Sequence, residues 1–458
     1  MCKQIFGALV LTAAVAGCQS HRPVPLKLAE HAEAFARREA DAEGVRAYAR
    51  RLTAREPDAD GFDLSDGLSA REAEAVALFY NADLRVLRAE SNVARATVRH
   101  AGAWQEPHLE GELLRFTRSV PDRWIRSVGV QFTLPISGRL AVEKDQATAD
   151  LGLSRARVRS AEWQVLGQVR RMWIRWATVR QRQDLVQANL EELSGLRAVV
   201  EKMVEAGELD PTDLGALKIQ EATLRLSLGR LIHRAASRRL ELIGLMGLKA
   251  DANLALVPKL PKAMKDTSPS DRPLLAHPRM IAAKARYERA EQNLRREIHK
   301  QYPDLEIGPT YEREEGQSRI GLSGGIPIPS INLNQQGIAE AKAEREVARV
   351  EAHRTYEKLS SALAAARLEV RAARRRREVL VGQLMPVVKR QRRQLKTLIG
   401  IGELNVLMMS QVLQQDLQIK TDLLETAAAE ASASQAIEGL IGPHWFGSAM
   451  SVPKESQP

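Results

Sequence analysis

The chain is very short of cysteine: Cys2 and Cys18 are the only two in 458 residues. That excludes a disulfide framework, a CxxC redox pair and a Cys-based zinc site. Aromatic residues are scarce as well, at 4%, whereas 27% of residues are charged, a balance that points to long solvated helices rather than a thick globular core. Long hydrophobic runs are missing too. The only candidate, Ile5 to Ala16, is about twelve residues long, and a membrane-spanning helix needs roughly twenty. The nine histidines include no pair closer than His100 and His108, eight apart, so helix-spaced metal ligands are absent and no bound metal or cofactor is expected. No nucleophile–base pair, phosphate-cradling loop or paired catalytic carboxylates stand out, so the chain does not read as an enzyme. A net charge of +11 could suit nucleic acid, but no recognised binding motif accompanies it, and nucleic acid is not an expected partner.

What the sequence does contain is an internal repeat. "NAD" at Asn81 is followed by a helical stretch and then Pro107; "HPR" at His277 leads through similar helix to Pro303, and both intervals are 26 residues. "VGVQFTLPIS" (128–137) lines up with "IGLSGGIPIP" (320–329), and "GELD" at Gly207 with "GELN" at Gly402. Glycines follow 37 and 40 residues after each of those turns: Gly244 and Gly247 in one copy, Gly439 and Gly442 in the other. A length that would ordinarily suggest two or three domains is therefore one unit written twice.

Each copy has the same local grammar. Ser69 and Glu72 form a capping-box pair at the start of a helical stretch over 69–104, which Pro107 closes. Alternation follows: Val128, Val130, Phe132 and Leu134 oppose Ser127, Gly129, Gln131 and Thr133. In the second copy Leu305, Ile307 and Tyr311, then Ile320, Leu322 and Ile326, alternate with polar residues or glycine. These are strands with one oily and one wet face, about ten residues long, the length a tilted membrane strand requires. From Arg139 to about Glu205 there is no proline, and Leu151, Val158, Val165, Met172, Val179, Val186, Leu193 and Val200 recur every seven positions, a coiled-coil seam. A second helix from Thr212 to about Leu245 should return antiparallel after the "GELDP" turn. The second copy repeats this from about Leu333 to Ile399 and Val406 to Leu440, with a poorer seam (Leu359, Ala366, Ala373, Leu380, Val387) and a bend expected at Pro386. Trp163, Trp173 and Trp176 read as core. Arg374 to Arg377 read as a solvated face partly compensated by Glu369 and Glu378. Four strands cannot close a barrel, and lipid tolerates no open sheet edge, so the chain must oligomerise.

The N-terminus adds an address. Lys3 precedes the short apolar run, and small residues (Val15, Ala16, Gly17) precede Cys18. The group resembles the lipobox of bacterial lipoproteins, which implies cleavage before Cys18 and acylation, including palmitate, of its thiol, the nucleophile that lipid transfer needs. Gln19 rather than Asp implies onward sorting to the outer membrane. The alternative is an ordinary signal peptide with a chance Cys. Loss of residues 1–17 removes one charge, leaving +10.

Lipobox, doubled helix–hairpin–long helix–turn–helix, prolines ahead of the strands and "GEL" turns together look like the outer-membrane efflux proteins of the TolC-like family, over most of residues 69–442. The resemblance implies a mainly α fold with a small membrane β part. It implies a homotrimer whose hairpins close one twelve-stranded barrel in outer-membrane lipid, with a coiled-coil helical tunnel crossing the periplasm of a Gram-negative cell. Partners would be a periplasmic membrane-fusion (adaptor) protein and an inner-membrane transporter of the resistance-nodulation-division type. The stretch "IPIPSINLNQQGIAEAKAERE" (326–346) is similar to outer components of heavy-metal efflux systems, which would make heavy-metal cations the cargo. A drug or other small-molecule channel of the same family, or a coiled-coil structural lipoprotein without a pore, is the competing reading.

The expected organisation is a signal peptide (1–17), an anchor and extension (18–68), repeat 1 (69–249), a linker with four prolines at the tunnel's waist (250–276), repeat 2 (277–442) and a mobile tail (443–458). Expected sites are the lipid attachment at Cys18 and an aromatic girdle of Trp104, Trp124 and Tyr302. In the family the helical tips meet the adaptor and narrow the pore. Here those are Gly207, Glu208, Leu209, Asp210 and Asp213, with Gly402, Glu403, Leu404 and Asn405. Asn405 to Met409 stand where some relatives place carboxylates, a departure from the acidic gate of those relatives.

Overall fold

The computed structural model describes residues 21–53, 62–115, 117, 124–262, 272–314, 317–329, 331–400 and 405–441. The chain divides into a small unit, residues 1–39, and a large one, residues 40–458. The small unit contains helix α1 (Leu28–Ala36), which has no buried residue. Cys18 lies outside the described residues.

The large unit begins with α2 (Glu43–Thr53) and α3 (Ala70–Tyr80). Ser69 and Glu72 make the expected reciprocal capping box on α3. The expected single helix over 69–104 is in fact two. Asn81 ends α3 and caps α4 (Ala82–His100), its side chain accepting from Leu84 N and donating to the Leu245 carbonyl at 3.0 Å. An Asn that can satisfy both a helix start and a distant carbonyl is worth more there than as a continuation of the helix. The chain then runs β1 (His108–Arg115), β2 (Trp124–Leu134), α5 (Arg139–Glu205) and α6 (Pro211–Leu245). After a 3₁₀ turn, Arg272–Ala276, the same order occurs again: α7 (Pro278–His299), β3 (Leu305–Glu314), β4 (Gln317–Gly325), a long helix and a return helix.

The 67-residue α5 reaches roughly 100 Å at 1.5 Å per residue. Six of its eight heptad residues are buried; Met172 and Val179 are half-buried. The main core gathers where α5 passes α2, α3 and the end of α6, around Val76, Leu78, Val169, Trp173, Leu242 and Ile243. Trp173 and Trp176 are buried there and Trp163 is half-buried. Within this core Arg170 forks onto Glu74 at 2.6 and 3.1 Å, with Glu438 at 3.4 Å. Burial works against the guanidinium charge, but the two carboxylates outweigh it and raise its pKa above the ordinary value. The described part of the 250–276 segment lies across α5: Lys259 O accepts from Trp173 Nε1 and Pro258 O from Gln181.

The second long helix is not continuous. α8 (Gln335–Val379) passes through a π turn, Leu380–Leu384, into α9 (Met385–Gly400). Pro386 lacks the N–H that would close an α turn, and the wider turn accommodates it. The expected seam fails at Val387, which is exposed. Val388 is buried in its place and Leu395 continues the seam. One π turn inserts one residue, so the interval from Leu380 is eight rather than seven. The expected helix start at Leu333 is also corrected: Leu333 and Asn334 have φ of 48° and 51°, and α8 begins after them. The return helix is α10 (Val406–Ile441). Arg374 and Arg377 do not rely on Glu369 or Glu378; both pair with buried Glu430 on α10, at 3.0 and 2.9 Å. Farther along, Arg392 bridges Asp416 at 3.0 Å and Glu192 on α5.

Candidate functional site

The four strands form one antiparallel sheet in the order β1-β2-β3-β4. Its register fixes what each face carries. Leu109 pairs with Val130, Val128 with Tyr311, Phe132 with Ile307, Tyr311 with Ile320 and Pro309 with Leu322, which builds one continuous apolar face. That face is open: Leu109, Ile320 and Leu322 are 76%, 87% and 71% exposed. The opposite face carries Glu110, Glu112, Ser127, Gln131, Thr133, Glu306, Thr310, Glu312 and Arg319. Gln131 bonds Ser323 across the intervening strand, which is possible because Gly308 stands between them. A Cβ on Gly308 would lie 1.9 Å from the Val130 carbonyl oxygen. Both edges, β1 and β4, lack a partner strand among the described residues.

The sheet joins the helices at one end, where Asp304 collects the chain. It accepts from the Ser137 backbone at 3.2 Å, the Ser137 hydroxyl at 2.5 Å and Arg139 Nε at 3.1 Å. Burial would raise its pKa; the Ser137 donors and Arg139 together pull it below the ordinary carboxylate range. Nearby, Glu297 accepts from Lys300, Asn334 and Arg296, and Asn334 also donates to the Glu297 carbonyl at 2.8 Å. This clamp holds Asn334 in its left-handed conformation ahead of α8. Gly337 leaves room for it, since a Cβ there would lie 2.7 Å from Asn334 Oδ1. Trp104, Trp124 and Tyr302 are all exposed, and the Arg115 guanidinium lies 5.6 Å over the Trp124 ring.

At the far end of the helices, α5 stops because Gly207 takes φ +78°, letting the Glu208 N–H reach back to the Met203 carbonyl at 2.8 Å. Asp210 then caps α6: its carboxylate accepts from the Thr212 N–H and hydroxyl, both at 2.7 Å, and these bonds lower its pKa. Pro211 follows at the first helical position. Leu209 is half-buried against a cluster containing Leu193, Val200, Leu217 and Val406, so the two helical tips of the chain meet there. Asn405 caps α10 by accepting from the Met408 N–H at 2.9 Å. Glu208 is exposed and Asp213 half-buried. Gly402, Glu403 and Leu404 lie outside the described residues. Among the described residues no group of three or more His, Cys, Asp or Glu could hold a metal ion, and no helix is long and apolar enough to cross a membrane.

The Glu297–Asn334 clamp is the feature that sequence reading missed; nothing local marks it, since it joins residues 37 apart.

Residues 76–248 match the family described as "Outer membrane efflux protein". No curated protein sequence matches. Among solved structures, CusC, described as forming a transmembrane channel, is similar at a TM-score of 0.69 and 16% identity, covering 81% of this chain and 92% of its own. The outer membrane protein VceC of Vibrio cholerae matches at 0.67 and 16%, covering 81% and 96%. The outer-membrane channel OprN matches at 0.70 and 16%, covering 94% and 99%. Residues 76–248 are thus similar in sequence to outer membrane efflux proteins, and the chain shares its fold with these three solved structures.

Proposed function

We propose that this protein is the outer-membrane exit duct of a tripartite efflux pump and that its cargo is heavy-metal cations. The observation that carries the reading is the sheet, with its apolar face exposed and its edges β1 and β4 unpartnered among the described residues. Hydrocarbon leaves no water for those backbone groups, so copies of the chain must supply the missing strands. Three copies, each pairing β4 with the next copy's β1, make twelve strands, within the range of membrane barrels. The long helices then run as a tunnel toward the adaptor and the inner-membrane transporter, which meet the tips around Leu209, Asp210 and Asn405. Cys18 carries the acyl anchor, and Trp104, Trp124 and Tyr302 sit in the girdle.

Two things favour a cationic cargo. The polar sheet face, which lines the passage in this reading, carries Glu110, Glu112, Glu306, Glu312 and Glu314 against a single arginine, Arg319. A narrow conduit lined by one sign of charge concentrates the opposite ion. The 326–346 stretch also resembles heavy-metal efflux components. No resident metal site is part of the proposal, since a duct that held its cargo tightly could not release it.

Purified protein in a planar bilayer should conduct as a trimer and show a reversal potential favouring cations. A deletion strain should become sensitive to zinc, cobalt, cadmium or copper salts. Sensitivity to drugs alone would move the cargo to small organic molecules in the same duct. A monomeric, non-conducting protein would remove the duct and leave a coiled-coil spacer.

A further inference from the structure

The apolar sheet face carries charge at one end only. Its register places Leu109, Gly111, Leu113 and Arg115 beside Val130, Val128, Arg126 and Trp124, and Arg126 beside Arg313. Every charged residue on this face of the strands is one of those three arginines; the strand carboxylates all lie on the other face. All three are exposed, and none makes an ion pair among the described residues. Arg126 and Arg313 are direct cross-strand neighbours, with Arg115 on the diagonal from Arg126, an arrangement that is unfavourable unless an anion lies against it.

Their level is fixed independently. The helices join the sheet at the opposite end, after Leu134 and before Leu305. Arg126 is eight residues along β2 from Leu134, roughly 26 Å at 3.3 Å per residue, comparable to a barrel's apolar band of about 25 Å. Arg115 stacks on Trp124, the residue type that settles at headgroup depth. Resting on the duct reading, this puts the arginines at the outer-leaflet boundary, facing lipid. We propose that Arg115, Arg126 and Arg313 form a binding site for the phosphate of an outer-leaflet lipid headgroup. Guanidinium groups match phosphate with paired N–H donors, and the anion relieves the repulsion between Arg126 and Arg313.

The test uses full-length protein in detergent, titrated with bisphosphorylated lipid A and with the same lipid dephosphorylated, and read by native mass spectrometry. Wild-type trimer should retain the phosphorylated lipid about tenfold better than the dephosphorylated one, a comparison that needs no variant. The triple variant R115Q/R126Q/R313Q should lose that preference while keeping trimer and conductance. Each single variant should show a partial loss, which covers the case in which the triple variant does not fold. A trimeric, conducting wild type that holds both lipids equally overturns the site alone. A wild type that neither trimerises nor conducts removes the duct and the site with it. Displacement of the lipid by an equal concentration of inorganic phosphate would assign the arginines to free phosphate and overturn the lipid assignment.

Discussion

Replacing Glu297 with glutamine should weaken the start of the second long helix at neutral pH, and the difference should disappear in acid. The Glu297 side chain is 9% exposed and accepts from Lys300 Nζ at 2.7 Å, Asn334 Nδ2 at 2.9 Å and Arg296 Nη2 at 3.0 Å. Burial alone would raise its pKa, but donors from Lys300, Asn334 and Arg296 outweigh it and lower it from 4.5 to about 2. A carboxyl depressed on folding adds stability above its unfolded pKa, and that contribution is lost as pH falls through the folded value. A shift of this size corresponds to at most roughly 3 kcal/mol. Arg296 and Lys300 are 39% and 52% exposed, so screening reduces the contribution to about 1–2 kcal/mol. The assay is the urea midpoint of wild type and E297Q between pH 7 and pH 2. The gap should hold from pH 7 to about 4.5, then close towards pH 2. A gap that is the same at both ends, or absent at pH 7, would refute the clamp.

Two further outcomes follow from the packing. Gly308→Ala forces β2 and β3 apart at the Val130 carbonyl; it should cost about 2 kcal/mol or more and sharply reduce assembled trimer on a native gel, whereas Gly325→Ala, with open space at its Cβ, should not. Arg170→Met strands Glu74 in the core and should cost about 3 kcal/mol or more in thermal unfolding, with much of the loss recovered in the E74L/R170M double variant.

The parts of this fold that could be read from sequence are those in which one residue type has one local job. The landmarks from which a repeat is read are helix punctuation: Asn81 and His277 are both N-caps, and Pro278 and Pro211 sit at first helical positions. The α5 seam was legible because an unbroken helix that winds around its neighbours keeps a seven-residue period on one side. The second seam misled at Val387 for the same reason: periodicity assumes constant pitch, and a π turn changes it. Helix starts at Asn81 and Asn334 were missed because long-range partners, the Leu245 carbonyl and Glu297, decide them. The strand alternation gave the two faces but not their charge segregation, which needs the pairing of Arg126 with Arg313. At the tip, the family resemblance implies Leu209 as an adaptor contact, and the fold adds neighbours for it within its own chain.

The unpaired margins of the sheet have a consequence for biogenesis. In the proposed assembly each protomer would start with two ready templates for strand addition, the situation that leads other proteins to fibres. Glu110 and Glu112 along β1 and Arg319 along β4, the last paired with Glu314 at 2.8 Å, place charge on both margins, all on the polar face. The two carboxylates of β1 discourage β1 from docking against another β1 and favour head-to-tail addition. In the proposed trimer, three β4-to-β1 pairings close the ring and leave no margin for a fourth copy.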